Sequence, residues 1–385
     1  MTSRRATISR GNRAVATMAQ IICLALTIAL VAGKSREAAG AVWTNATANG
    51  NWFDPNNWSP ATVPSDPGNI GASISATTLN FNFAGATAEF LAVGGAGNFN
   101  VTGGSLSYTG DGLVGSASAL TNGSGVVNQS AGTITQTGGG VGLLIGHTRP
   151  GTWNLSGGSV IAATNVYLGF SAAAPGTLNI SGNGLFDANS SVLVASNNTF
   201  NAGGPGAINI TDSGRLDVAL DLRVGIANSG SLSVTGPNAA VVVGNNLTFD
   251  RPDSSLSVTL TDGNFTSITT GGVTGTIINP NADLLVDLAV DLAPGSYQWT
   301  IIDNLNAAGS NLGTFSGFAD DSVFQVTGVN DTYDFTINYN GGSGNDLVLS
   351  TFVAGAAVPE PLSVVAWLVV GAAAMLFGRR RAWRR

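Results

Sequence analysis

Histidine, cysteine and lysine are almost missing from this sequence, and each gap closes off a class of chemistry. His147 is the sole histidine and follows Gly146 in a turn-like context, which reads as a solvated position. Ser-His-Asp relays, Cys-His pairs and multi-histidine metal sites all need partners that it lacks. Cys23 is the sole cysteine and lies inside an N-terminal apolar stretch, so the rest of the chain has no disulfide and no thiolate ligand. Between Val42 and Val358 there is no lysine, and four arginines face 20 acidic residues, a net of −16. That balance argues against a nucleic-acid partner. Charged residues of both signs reach only 10%, where globular chains carry about 25%. Amphipathic helical runs are also missing between the two ends.

Glycine, serine, threonine and asparagine fill the space, with 53 Gly among 385 residues. Gly and Asn supply turns, and β-branched residues suit pleated surfaces, so the composition favours short strands joined by many tight turns. One element recurs as Gly-x-apolar-x-apolar-Ser/Thr. It begins at 97, 125, 151, 176, 206, 230 and 254, at spacings of 28, 26, 25, 30, 24 and 24. A second element, two mostly apolar residues before Gly, follows within most units. Its copies are Leu113-Val114-Gly115, Leu144-Ile145-Gly146, Tyr167-Leu168-Gly169, Arg223-Val224-Gly225 and Val242-Val243-Gly244, with Leu193-Val194-Ala195 as a variant. Ala92-Val93-Gly94 marks a degenerate unit before residue 97.

A period near 25 with alternating apolar strands predicts stacked coils, each too small to fold alone. The fold expected is all-β: a right-handed parallel β-helix, or β-solenoid, over 97–280. An antiparallel sandwich is the competing architecture, and such regular repetition is foreign to it. Phe99, Val101, Trp153, Leu155, Leu178, Ile180, Ile208, Ile210, Leu232 and Val234 are the expected core ladder. Asn100, Asn154, Asn179 and Asn209 share the position between them. They suit hydrogen bonding up and down the stack, with sugar contact as the functional alternative.

The two ends read as processing signals. Arg4, Arg5, Arg10 and Arg13 precede the apolar run 21–32, and Ala39-Gly40-Ala41 has the small-x-small form of a signal-peptidase site, so 1–41 is expected to be a signal peptide. At the other end Val358-Pro359-Glu360-Pro361 leads into an apolar run over 362–378, followed by Arg379, Arg380, Arg381, Arg384 and Arg385. Seventeen residues make a helix of about 26 Å, close to the ~30 Å hydrocarbon core. The arginines assign their side to the cytoplasm. The order Pro-Glu-Pro, short span, arginine cluster resembles the PEP-CTERM sorting signal over 353–385, and the repeats resemble those shared by PEP-CTERM proteins and type V secretion (autotransporter-like) passengers.

That resemblance implies an exported precursor held at the inner membrane by its C-terminal helix. An exosortase then processes it, and the product reaches the cell surface or the extracellular matrix. The implied role is structural or adhesive within a biofilm or exopolysaccharide matrix, with no catalysis. A polysaccharide-binding or polysaccharide-degrading β-helix is the alternative, and Arg215 with Asp212, Asp217 and Asp221 is the one local set that could serve it. An ion-pair strip explains the same residues.

The flanks depart from the repeat. Trp43, Trp52 and Trp58 fall within 42–96 and suit either an end cap or a sugar-stacking platform. Alternation at Leu284, Val286, Leu288, Val290 and Leu292, and at Tyr333, Phe335, Ile337 and Tyr339, predicts half-buried strands of a closing module over 281–352. No cofactor is expected. A first metal candidate is Ca2+ at Asp346, because Gly341-Gly342-Ser343-Gly344-Asn345-Asp346 matches a single calcium nonapeptide, a motif that works in stacked copies. Asp283, Asp287 and Asp291 share a predicted face and are a second weak cation candidate.

Overall fold

The computed structural model describes residues 40–65, 71–75, 77–95, 97–116, 123–261, 265–306 and 310–354. Among them the chain is all-β, and the one helical element is the single 3-10 turn Pro55–Asn57. About seven regular turns of a β-solenoid run from Asn98 to Ile278. One turn shows the plan: a first strand Gly151–Leu155, a second Ser159–Ala162 and a third Val166–Leu168. Each stacks in parallel on its equivalent one turn away, giving three sheets around one core.

Register follows the repeat. Trp153 stacks on Leu178, Leu178 on Ile208, Ile208 on Leu232 and Leu232 on Leu256. All ten expected core residues have no solvent exposure. A slip of one residue would turn that column out to water, and full burial of a Leu or Ile is worth about 1.5–3 kcal/mol, so the period-2 pattern fixes the pairing. The third strand closes at a left-handed corner: Gly115, Gly146, Gly169 and Gly225 have φ of +76°, +80°, +71° and +77°, and Ala195 substitutes at +60°.

One repeat assignment is corrected. Val242-Val243-Gly244 belongs to the second sheet, where Ala240–Val243 stacks on Arg215–Val218. The third strand of that turn is Leu247–Phe249, and Asp250 stands at its corner in place of glycine.

Stacking extends beyond the sequence repeat on both sides. Leu79–Phe81 and Leu91–Val93 already occupy the first and third sheets, and Ala41–Trp43 pairs in parallel with Ala72–Ile74. At the far end Asp283–Leu288 still pairs with Ser255–Leu260, and Ile302–Asn304 with Ile268–Thr270. Closure comes from antiparallel pairing, in which Gly295–Asn304 joins Asp346–Val353, itself joined to Thr332–Gly341. A parallel stack leaves bare edges at its ends, and this turn to antiparallel pairing closes one of them.

The core is not wholly apolar. Gln129 and Gln136 are buried and donate to the carbonyls of Ser159 (2.9 Å) and Gly110 (3.0 Å). The Tyr108 hydroxyl is buried without a hydrogen-bond partner, and burial first, then the Asp111 charge, pushes its pKa upward. A buried polar group left unpaired costs about 1–3 kcal/mol. Tyr108→Phe removes that cost at constant shape, so we expect a gain of about 1 kcal/mol, read as a higher midpoint in urea. An unchanged or lower midpoint would mean that the hydroxyl is satisfied in solution.

Candidate binding faces of the solenoid

The tryptophans form the end cap. Trp43, Trp52 and Trp58 are at most 2% exposed. They meet edge-to-face, at 5.1 Å between Trp43 and Trp58 and 4.8 Å between Trp52 and Trp58, and Trp52 continues onto Phe81 at 5.3 Å. Their faces are therefore spent on one another and on the core. Asn57 holds the loop around them, donating to Asn49 Oδ1 (2.7 Å) and the Asn51 carbonyl (2.9 Å) while accepting from Thr47. Asp54 caps the 3-10 turn, and the Asn49 amide followed by the Asn56 N–H lowers its pKa.

The Arg215 set is only partly assembled. Arg215 meets Asp217 at 2.8 Å on the outer second sheet, and Asp187 stacks beside Asp217. Asp221 instead accepts from Asn245 (2.7 Å) and the Asn246 N–H (3.1 Å), and Asp212 lies in a left-handed turn at φ +60°. Arg223 pairs with Asp250 through two nitrogens, at 2.6 and 3.1 Å. The expected ion-pair strip is thus two separate pairs.

The acidic candidates divide in the same way. Asp346 begins the last strand at the end of a hairpin turn, and its carboxylate accepts from the Asn304 N–H (2.9 Å) and the Ser343 N–H (2.9 Å). Asp303 nearby is pushed above the usual carboxylate range by burial first and then by the Asp346 charge. Asp283 and Asp287 share an exposed face of one strand, whereas Asp291 lies beyond its end. Asp291 binds the loop at Asn330 and Asp331, and those donors lower its pKa. Among the described residues, no group of three or more His, Cys, Asp or Glu is placed to hold a metal ion.

On the third sheet the outward residue is apolar over five successive turns, Ala92, Leu113, Leu144, Tyr167 and Leu193, before Arg223 and Thr248 follow. Leu144, Tyr167 and Leu193 form a second buried cluster, flanked by Leu113, Phe170 and Ile226. His147 is half-buried there, with its ring 5.6 Å from Phe170 and Nδ1 3.5 Å from Ser116 Oγ, and is not the solvated residue expected. Phe200 projects from the next loop, 48% exposed at φ +58°, over the Arg223 guanidinium at 5.6 Å. The recurring apolar pair before Gly marked these residues in the sequence, but strands of three residues carry no periodic signal to show that the first of each pair faces outward.

The first sheet differs in charge. Its first eight parallel strands, from Leu79–Phe81 to Ser255–Leu260, contain no Asp, Glu, Lys or Arg, and the ninth, Asp283–Leu288, brings two exposed aspartates. Asn209, Asn179, Asn154, Asn128, Asn100 and Asn80 form one continuous ladder, each Nδ2 donating to the preceding Oδ1 at 2.7–2.9 Å. The expected column is therefore longer than its four copies, and Asn80 and Asn128 join it. Two grooves lie along this face. One of about 340 Å³ follows the ladder from Asn80 to Asn154. The other, of about 240 Å³, follows the outward row through Thr177, Ala207 and Ser231. Asp253, paired with Arg251 at 3.0 Å, borders the second groove as its only charged residue.

The residues expected to direct processing fall almost entirely elsewhere. Ala39, Val358, Pro359, Glu360, Pro361, Arg379, Arg380 and Arg381 lie outside the described residues, as does the expected membrane helix over 362–378. Among the described residues no helix is long and apolar enough to cross a membrane. Ala41 is described and fully buried, and its N–H donates to the Gly71 carbonyl at 2.9 Å. No family model, curated protein or solved structure matches the chain.

Proposed function

We propose that the chain is an exported structural or adhesive protein of an extracellular polysaccharide matrix. On this reading it is secreted by its N-terminal signal, held by a membrane helix over 362–378, and sorted when exosortase acts at Pro359-Glu360-Pro361. The resemblance to PEP-CTERM proteins carries the sorting step. The observation that favours a structural role is the rod itself: stacked turns built on one core, with an aromatic cap at one end and an antiparallel cap at the other. Such a body displays long repetitive faces at little conformational cost, because neighbouring turns already hold every strand.

Intact mass of the protein recovered from the host envelope and medium tests the processing. The expected product ends near Pro359, with the Arg-rich tail gone. A product retaining Arg385 would make the chain a permanently anchored protein and end the exosortase reading. The same spectrum locates the first residue. Cleavage after Ala41 starts the product at Val42 and forfeits a strand pairing with Ala72, whereas cleavage after Gly40 keeps it.

A further inference from the structure

We infer that the uncharged stretch of the first sheet, from Leu79–Phe81 to Ser255–Leu260, is a binding track for an extended, neutral polysaccharide lying along the solenoid axis. The inference rests on the matrix role proposed above and assigns the face and the ligand class. Its first support is charge segregation. Residues 79–260 carry eight acidic residues and four arginines, yet the eight first-sheet strands among them carry no charge at all. A face free of charge offers nothing to a polyanion or polycation and imposes no desolvation cost of ions on a neutral hydroxylated chain.

The second support is hydrogen-bonding capacity. A primary amide has two N–H donors and two carbonyl lone pairs. The ladder bonds use one of each within the column, so each middle Asn keeps a further donor and acceptor for a ligand hydroxyl. All the ladder bonds run in one direction, and such chains polarise their members. Thr152, Thr177, Ser231 and Ser255 add hydroxyls in the adjacent outward row. The third support is shape. Both grooves described above lie on this sheet, and its seven inter-strand steps of ~4.8 Å make a track about 34 Å long. That pitch is close to the advance of one ring in an extended β-linked hexose chain, and because alternate rings are turned over, equivalent hydroxyls meet equivalent side chains at every second strand. The track displays no outward aromatic residue, which makes recognition a matter of hydroxyl hydrogen bonds.

Affinity electrophoresis of the full-length chain through gels containing hydroxyethylcellulose (neutral) or alginate (anionic) tests this. The wild type should be retarded by the neutral polymer, with little change on adding salt, because no ion pair is involved. Thr152→Lys with Thr177→Lys should cut that retention at least tenfold while the melting temperature stays within a few degrees. Should the double variant melt much lower, Ser231→Lys alone adds charge to the same row without crowding, and the same loss is expected. Unaltered retention in a folded lysine variant overturns the assignment of the face. Retention by alginate alone overturns the neutral ligand and leaves the matrix role standing, whereas no retention by either polymer counts against both. A wild-type dimer that the lysines dissociate in sedimentation velocity would give the face to a second copy of the chain, and the polysaccharide track would fall.

Discussion

Gly176→Ala should leave a chain that no longer unfolds as one cooperative unit, at a cost above about 3 kcal/mol. A Cβ at that position would sit 2.1 Å from the Ile145 carbonyl oxygen and 2.3 Å from the Gly169 nitrogen. Both obstacles are backbone atoms, and they are bonded to each other: Gly169 N–H donates to the Ile145 carbonyl at 2.7 Å. Neither can withdraw as a flexible side chain would. The Gly176 N–H is committed in turn to the Pro205 carbonyl at 3.0 Å, so relief requires two neighbouring turns to part. Gly85 is the control. Its φ is +74°, but no atom lies within 4 Å of an added methyl, so Gly85→Ala carries only the left-handed backbone penalty, about 1–2 kcal/mol. Urea unfolding followed by far-UV circular dichroism separates the two mechanisms. Equal losses in both variants would show that backbone conformation, rather than close approach of the turns, explains the repeated glycine.

That glycine is also why so much of the fold could be read from the sequence. The leading Gly, the inward apolar pair and the Ser/Thr are local requirements of every turn, so each copy declares itself. Recognition failed where a turn meets the same requirement by a long-range contact. At Asp250 the corner glycine is gone, Ser254 occupies the next turn's leading position, and Arg223 from the preceding turn binds the carboxylate. An apolar pair before Gly244 on another sheet then mimicked the missing element. Alternation misled in a second way at Asp291, because parity with Asp283 and Asp287 holds only while the strand lasts, and the strand ends at Leu288. The tryptophans were ambiguous for another reason. Composition supplies three large rings near one end, and only their mutual edge-to-face contacts make them a plug. The charge-free face was legible in principle, since it needed only the first strands of successive repeats to be aligned and scanned for ionisable residues.

Asn304→Leu should unclasp the C-terminal cap, at a cost on the order of 3 kcal/mol. Asn304 is 2% exposed and ties together three segments distant in sequence. Its Oδ1 accepts from the Thr270 hydroxyl at 2.6 Å and the Thr276 hydroxyl at 3.1 Å, and its Nδ2 donates to the Asn345 carbonyl in the terminal hairpin turn. Leucine fills a similar volume but takes the acceptor from two hydroxyls, both without solvent exposure. Thr270→Val and Thr276→Val in the same chain supply the decisive comparison, because removing the hydroxyls together with their acceptor deletes those unpaired groups. The triple variant should recover at least half of the lost stability; if it is no better than Asn304→Leu, the defect is one of shape and the clasp is not polar. A loosened cap has a second consequence. It uncovers the ends of the final parallel strands, which are ready partners for another stack, so the single variant should sediment as concentration-dependent end-to-end oligomers under conditions where the triple variant and wild type do not. Loss of stability without association would mean that the Asp346–Val353 strand stays seated on Gly295–Asn304 by its ladder alone, and that the antiparallel sheet rather than Asn304 seals the rod.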